Sequence, residues 1–218
     1  MAAASSDVAA GPPSLLERAF ADALDGAEVE DPNSAILDAA YDLFCRQGIQ
    51  RTTMEDVARR ARVSRITVYR RLVSKEALVE AVLLRDFRLY VDRFLADLAG
   101  AQTVADRVVT GFVSSLRATR SNPLMTGLMQ AEPGAVAPTI VGEDGRVLAA
   151  VARFLAGQLR IEQQAGNVGP DVDVGVVAEL MVRLSASFFL TPSEVVDLDD
   201  DEQVAGIARR YLVPMLQA

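Results

Sequence analysis

Residues 57–75 read VARRARVSRITVYRRLVSK, and this stretch determines both the fold and the charge distribution of the chain. Seven of these residues are basic and none is acidic, and Lys75 is the only lysine in the sequence. The whole chain holds 22 Lys and Arg against 30 Asp and Glu, so its remaining residues carry 15 basic and 30 acidic side chains. A compact cationic segment in an otherwise acidic protein favours binding of a polyanion at that one place.

The pattern of residues 52–75 predicts two short helices joined by a tight turn. The sequence 52–56 has the Thr/Glu spacing of a capping box and begins one helix, which ends in a turn at 61–63. Ser64 is placed to cap the next helix over 65–72, and Ser74 to cap a long helix after it. The predicted inward residues of the middle helix are Val63, Val68 and Leu72. Helix, tight turn and helix of this length are typical of a helix-turn-helix motif.

The flanking sequence predicts an all-α protein. Apolar residues from Ile36 to Phe44 recur at helical spacing, and Gly48 is expected as a left-handed C-cap. Further helices are predicted at 103–119, 123–131, 145–164, 172–190 and 201–216, and no alternating strand pattern is evident. We predict three parts: a flexible N-terminal extension (1–31) with a short helix at 15–24, a helix-turn-helix domain (32–78), and a C-terminal helical domain for effector binding and dimerisation (79–218).

Composition excludes several classes of site. Histidine is absent, which removes Ser-His-Asp triads and HExxH zinc sites, and the one cysteine, Cys45, excludes an internal disulfide. The run of acids at 197–202 lacks the glycine and terminal glutamate of an EF-hand and precedes a helix, so capping is favoured over a metal site. The sequence predicts no cofactor, no metal, no membrane span and no signal peptide, and therefore a cytoplasmic protein that is not an enzyme.

Double-stranded DNA is the polyanion that this motif favours. In a helix-turn-helix the second helix enters the major groove, where Arg can bridge guanine O6 and N7 and an aliphatic side chain can meet a thymine methyl. The alternative interpretation is a basic face that is only solvated. Seven positive charges without an acidic residue in the segment make that interpretation less favoured than DNA binding. The candidate DNA-binding residues are Thr52, Thr53, Arg65, Ile66, Thr67, Tyr69, Arg70, Arg71 and Lys75. Arg59, Arg60 and Arg62 are expected to add only to the electrostatic field.

Residues 36–78 resemble the amino-terminal domain of the TetR/AcrR family of transcriptional regulators. The resemblance rests on Ile36, Gly48, the TTMEDVA run at 52–58, the TVY run at 67–69 and the SKE run at 74–76. It implies a tetracycline-repressor-like homodimeric repressor that binds a palindromic operator and responds to a small hydrophobic effector. By position, Thr53, Tyr69 and Lys75 match phosphate contacts, and Arg65, Thr67 and Arg70 match groove-facing residues. Two positions depart from the family: Arg62 replaces the usual turn glycine and Leu72 an aromatic residue.

The C-terminal part carries weaker signals, because the same residues suit plain core packing. If helices four to seven form a bundle, an apolar pocket is expected with the lining Phe87, Tyr90, Phe94, Phe112, Leu116, Met125, Leu128 and Met129. The helices at 145–164 and 172–190 are the dimerisation candidates, with apolar stripes of Val147, Val151, Phe154, Leu155, Leu180, Leu184 and Phe188. Gly157 and Ala178 are expected to permit close approach.

Three further functions remain open beside the leading hypothesis of a ligand-responsive DNA-binding repressor. A helical adaptor would use the basic face to bind an acidic protein, and an architectural DNA-binding protein would have no effector. An enzyme is disfavoured, because the sequence offers no nucleophile–base pair, metal cluster or glycine-rich phosphate loop.

Overall fold

The computed structural model describes residues 32–131, 145–191 and 193–217, and in these ranges every regular element is helical. The predicted extension 1–31 and its short helix lie outside the described residues. The helices are α1 (Ser34–Gln47), α2 (Met54–Ala61), α3 (Arg65–Arg71), α4 (Lys75–Leu98), α5 (Val104–Arg120), α6 (Pro123–Ala131), α7 (Arg146–Gln164), α8 (Val174–Leu190) and α9 (Asp201–Ile207). The chain continues from α9 through a π-helical turn (Ala208–Leu212) into a 3₁₀ turn (Val213–Leu216). The all-α prediction is confirmed, and its helix limits hold to within two residues except at this last helix.

The first hydrophobic core joins α1, α2 and α3 to the start of α4 and to α6. Phe44 and Val68 are almost completely buried in it, and Leu124 and Leu128 of α6 complete it. The predicted division at residue 78 falls inside the continuous α4. Helix α6 also crosses this division, because it comes from the second part of the chain and packs in the first core.

Gly127 permits this docking of α6 on α1. A Cβ atom at Gly127 would lie 2.4 Å from the backbone oxygen of Cys45, closer than real Cβ contacts allow. A side chain at this position would push the two helices apart. Helix α6 can approach α1 this closely because the residue is a glycine.

The second core joins α5, α7, α8 and the C-terminal turns. Phe112 of α5 meets Phe188 of α8 edge to face, with ring centroids 6.2 Å apart. Helices α7 and α8 pack along each other and form the most extensive helix pair of the described residues. Helix α4 is packed along α5, so it belongs to both halves and connects the first core to the second. Among the described residues no helix is long and apolar enough to cross a membrane.

Two local predictions around α1 and α2 need correction. Gly48 ends α1 and donates its N–H to the Phe44 oxygen, but at φ 84° and ψ 168° it is extended with positive φ rather than left-handed helical. The capping box of α2 is formed by Thr53 and Asp56 and not by a Thr/Glu pair. The Asp56 N–H donates to Thr53 Oγ1 at 3.2 Å, and the Thr53 N–H donates to Asp56 Oδ2 at 3.1 Å.

Candidate nucleic-acid interface

The turn between α2 and α3 is a Schellman motif centred on Arg62. Val63 N–H donates to the Ala58 oxygen at 3.0 Å, and Arg62 N–H donates to the Arg59 oxygen at 3.3 Å. These are the two bonds that close such a motif, and they place Arg62 at φ 56° and ψ 38°. The predicted turn is present, and Arg62 adopts the left-handed conformation that glycine usually supplies.

The helix α3 is held with one face inward and the other in solvent. Ser64 caps it by accepting the Thr67 N–H at 3.1 Å, and Val68 and Leu72 are buried in the first core. The opposite face carries Ile66, which is 79 % exposed, and Tyr69, which is 40 % exposed. Such strong exposure of large apolar side chains has no packing role within the described part of the chain, so this face is available to a partner.

Tyr69 also serves as a platform for Arg65. The guanidinium carbon of Arg65 lies 5.4 Å from the centre of the Tyr69 ring, within the range of a cation–π contact. This contact restrains a long side chain at the start of α3. Arg65 is thus pre-oriented on the exposed face, while the neighbouring Arg70 is exposed as predicted.

The basic segment 57–75 is not uniformly positive. Arg59 forms an ion pair with Asp56, and Arg60 pairs with Asp42 of α1 at 2.8 Å. Both pairs lie at α2, whereas the arginines of α3 form no ion pair within 4 Å among the described residues, and Arg65 has only a longer-range attraction to Glu55. The net positive charge is therefore concentrated at the turn and on α3.

Two of the predicted DNA-binding cations also donate hydrogen bonds to backbone oxygens within the chain. Arg71 Nη1 donates to the Pro32 oxygen at 2.6 Å, and Lys75 Nζ donates to the Gln50 oxygen at 3.0 Å. Lys75 is the first residue of α4 and is half-buried. An ammonium group carries three N–H donors, so this bond leaves two for another acceptor.

The two threonines before α2 have different roles from those predicted. Thr52 is 1 % exposed, and its hydroxyl donates to the Gly48 oxygen at 2.7 Å. The prediction that the Thr52 side chain binds DNA is therefore wrong, because that side chain is buried and its proton is used. Thr53 is exposed, but its hydroxyl donates to Asp56 Oδ2 at 2.6 Å.

Val73 is an exposed residue that was not among the predicted DNA-binding residues. It lies between α3 and α4 and is 79 % exposed. The adjacent N-cap Ser74, whose Oγ accepts the Ala77 N–H at 3.2 Å, fixes its position beside Lys75. The sequence did hold a signal for this exposure. Val73 directly precedes the capping Ser74, so it is expected to lie in the connection between the two helices.

Comparison with known proteins places this geometry in a family. Residues 36–82, which span α1 to the start of α4, match the model of the bacterial regulatory proteins of the tetR family. The chain is 26% identical over 191 residues to the HTH-type transcriptional regulator UidR of Escherichia coli (strain K12). The matched region covers 88% of this chain and 96% of UidR. It is 27% identical over 186 residues to the HTH-type transcriptional regulator AlkX of Mycobacterium tuberculosis (strain ATCC 25618 / H37Rv), covering 84% of each.

Residues 36–82 carry the DNA-binding domain of the tetR family, and most of the chain resembles transcriptional regulators. Its function is DNA-binding regulation of transcription, and the relatives that it matches are regulators rather than enzymes. The solved structure of Salmonella enterica GusR has the same fold, with a TM-score of 0.61 over 87% of this chain and 99% of that chain at 24% identity. The likeness covers the C-terminal helices as well as the helix-turn-helix.

The predicted effector residues are divided between the two hydrophobic cores and the surface. Phe112 and Leu116 are buried in the second core, and Leu128 is buried in the first, where Met125 packs against it. Met129 is 42 % exposed. These residues belong to different packed clusters, and a shared pocket lining stays a prediction, because helical periodicity shows which face is apolar but not which neighbour covers it.

The three aromatic residues of α4 do form a continuous row. The rings of Phe87 and Tyr90 are 5.8 Å apart and those of Tyr90 and Phe94 are 6.0 Å apart. Burial raises the pKa of Tyr90 to about 12, so its hydroxyl is neutral at physiological pH. Two surface clefts of the described residues lie elsewhere, one along 193–198 and the other between the start of α5 and the C-terminal turns.

The predicted dimerisation residues divide into buried and exposed sets. Leu155, Leu184 and Phe188 pack against the second core, while Leu180 is 47 % exposed. The remaining members, Val151 and Phe154, are half-buried, and the side chain of Val147 lies outside the described residues. Ala178 is fully buried within the chain and so does not permit approach by a partner, whereas a Cβ at Gly157 would meet only open space.

Two exposed apolar residues on the same pair of helices were not among the predicted dimerisation residues. Ile161 of α7 is 59 % exposed and Val176 of α8 is 53 % exposed. Val176 precedes Leu180 by four residues, so the two lie one turn apart on one face of α8. The four-residue spacing from Leu180 was the signal that could have identified Val176.

The acidic run before α9 caps this helix, as predicted, and it also forms ion pairs. Asp200 Oδ1 accepts the Glu202 and Gln203 N–H groups at 3.0 and 3.1 Å. Asp201 pairs with Arg117 at 3.0 Å and Asp199 with Arg120 at 3.1 Å. Within the described ranges no group of three or more potential ligands is arranged to hold a metal ion.

Proposed function

We propose that this TetR-family regulator is a homodimeric repressor that binds a palindromic operator and is released from it by a small hydrophobic effector. The observation that carries the DNA-binding part is the exposed face of α3, where uncompensated arginines surround Ile66 and Tyr69. This combination of guanidinium, aliphatic and phenol groups matches the acceptors, methyl groups and phosphates of a major groove.

The contacts divide by chemistry. Arg65, Thr67 and Arg70 are assigned to base edges, with Ile66 placed to meet a thymine methyl group. Tyr69 and Lys75 are assigned to phosphates, because a phenol O–H and an ammonium group donate without reading the sequence. At Thr53 the hydroxyl proton is used by Asp56, so the phosphate contact there is assigned to the backbone N–H groups of the first turn of α2.

Dimerisation is assigned to the exposed apolar face of α7 and α8. Leu180, Val176 and Ile161 give this face large apolar side chains, and Gly157 lets a partner helix approach. A symmetric dimer presents two α3 helices to half-sites one helical turn apart, about 34 Å, which requires a palindromic operator.

The effector is assigned to the aromatic row of α4. Helix α4 begins at Lys75 beside the DNA-binding face and packs along α5, so a ligand against its aromatic rings acts on the helix that follows α3 and shares the first core with it. A ligand that binds a tilted α4 more tightly shifts the population towards dimers whose half-site spacing does not match the operator.

The test is a selection of randomised duplexes by the purified chain, followed by mobility shift on DNA from upstream of its own gene. We expect enrichment of a two-fold symmetric site and an affinity that falls steeply with salt, because each phosphate contact releases counterions. Enrichment of single, unpaired half-sites would contradict the dimer, and no enrichment at all would contradict sequence-specific binding.

A DNA-binding protein without an effector is the second candidate. It is favoured by the division of the predicted pocket lining between two cores. A thermal-shift screen with fatty acids, alkanols and planar aromatic compounds distinguishes the two functions. A repressor of the proposed kind is stabilised by at least one compound that also releases the operator, whereas the second candidate keeps its operator throughout.

A further inference from the structure

Arg62 occupies a backbone conformation that its side chain makes unfavourable. It is the one non-glycine residue with positive φ in the part of the chain that the structure describes, at φ 56°. The left-handed region brings the Cβ of an L-residue close to its own carbonyl group, and glycine adopts it without that penalty. The bonds from Arg62 and Val63 into the end of α2 impose this conformation whichever residue is present. A side chain kept at such a position is expected to contribute something that glycine cannot.

The guanidinium of Arg62 has no polar partner in the part of the chain that the structure describes. The residue is exposed, and among the described residues its side chain has no hydrogen bond or ion pair. Arg59 and Arg60, in the last turn of the same helix, both have acidic partners. Those two arginines already place positive charge at the C-terminal end of α2, where the helix dipole favours it. Stabilisation of α2 therefore gives no separate reason for a third arginine.

The position of Arg62 gives it access to the DNA backbone. It stands two residues before Ser64, the N-cap of α3, and so at the point where the chain turns from α2 into the helix with the exposed arginine face. In the helix-turn-helix arrangement α2 crosses the backbone while α3 enters the groove. A planar guanidinium group can donate two parallel N–H bonds to one phosphate, which a solvated lysine does less well.

We propose that Arg62 is a phosphate-binding residue of the operator complex, and that its left-handed conformation is tolerated for this contact. The inference rests on the DNA binding assigned to α3. It changes the role of Arg62 from a general contribution to the electrostatic field to a direct contact at the edge of each half-site.

The experiment compares Arg62→Asn with the wild-type chain on its selected operator and on an unrelated duplex. Asparagine tolerates the left-handed conformation but is uncharged, so it removes the proposed contact and keeps the turn. We expect affinity to fall about five- to tenfold per half-site on both duplexes. The slope of log affinity against log salt should become shallower by about 0.9 per half-site. The melting temperature of the free protein should remain equal or rise.

Two further variants separate a contact from a field effect. Arg59→Ala removes another exposed cation, from the last turn of α2, but that cation is paired with Asp56, so we expect a small loss and no comparable change in slope. Arg62→Lys keeps the charge and is expected to recover part of the affinity. The proposal is overturned if Arg62→Asn binds like the wild type, or if Arg59→Ala loses as much as Arg62→Asn. If the wild-type chain binds neither duplex, the proposed function fails first.

Discussion

Asn122 and Asp86 join the start of α6 to the middle of α4. Asn122 Nδ2 donates to Asp86 Oδ2 at 2.7 Å, and Asn122 Oδ1 accepts the Leu124 and Met125 N–H groups at 2.8 and 3.1 Å. One side chain therefore caps α6 and attaches it to α4. Because α6 packs on α1 and α4 begins at the DNA-binding face, this bond fixes α4 to the helix that packs against α1.

Replacement of Asn122 by Ala is expected to destabilise the fold by about 1–2 kcal/mol, because both the cap and the bond to Asp86 are lost. Asn122→Ser keeps a capping oxygen but is too short to reach Asp86, so an intermediate loss is expected. Urea denaturation measures both. Equal stability of Asn122→Ala and the wild-type chain would show that the junction does not depend on this residue.

Asp86 makes the stability of this junction depend on pH. Burial raises the pKa of its carboxyl group, against the opposing effects of the Asn122 hydrogen bond and of Arg93 and Arg85. A raised pKa in the folded state means that folding disfavours the charged form, so the fold gains stability as the pH falls through that pKa. Asp86→Asn is uncharged throughout and still accepts from Asn122. It should be more stable than the wild type at pH 7, by a margin that shrinks as the solution is acidified.

The matched control for this titration is Asp56→Asn. The hydroxyl and N–H of Thr53 lower the pKa of Asp56, so its charged form is favoured by folding. Asp56→Asn should therefore be less stable than the wild type at pH 7, and this difference should vanish as the pH falls through the lowered pKa. Denaturation curves at every pH unit from 7 down to 2 give both trends, because the contribution of Asp56 is lost only below the ordinary range of its carboxyl group. If the two variants follow the same trend, the assignment for Asp86 is wrong.

The helices and their order could be predicted from the sequence, because apolar periodicity and capping residues are local signals. Local sequence alone does not decide whether Thr52 or Thr53 caps α2. Each precedes an acid by three residues, and burial of Thr52 against the Gly48 oxygen decides between them. The same limit explains the C-terminal part: Phe112 and Leu128 both lie on apolar faces, but long-range packing sends them to different cores.

Gly127→Ala tests the close packing of α6 on α1. The added methyl group meets the Cys45 oxygen, and overpacking of this kind costs about 1–3 kcal/mol even though alanine is the better helix former. The control is Gly206→Ala in α9, where a Cβ meets nothing and a gain of about 0.5–1 kcal/mol is expected. Thermal denaturation should move in opposite directions for the two variants. A stabilised Gly127→Ala would contradict the observed helix approach.

Tyr69 is expected to act on DNA in two separable ways. Tyr69→Phe removes the hydroxyl but keeps the ring, so it should weaken binding to all duplexes alike. Tyr69→Ala also releases Arg65, whose guanidinium carbon lies 5.4 Å from the ring centre, and should in addition relax base preference. Arg70→Ala should change preference by about 1–3 kcal/mol at one base pair of each half-site. Selection from randomised duplexes measures these changes, and an unchanged preference for Arg70→Ala would remove that residue from the groove.

Leu180 provides the test of the assembly. A charge at this exposed position, in Leu180→Glu, would be buried without a partner in the proposed interface, so we expect a monomer by sedimentation at micromolar concentration. A monomer binds one half-site at a time, and the loss of linkage between the two half-sites should weaken operator binding by about 10²-fold or more. Val195→Glu is the control, because Val195 is 90 % exposed and lies outside α7 and α8. If Leu180→Glu remains dimeric and keeps its operator affinity, the interface lies on another face of the chain.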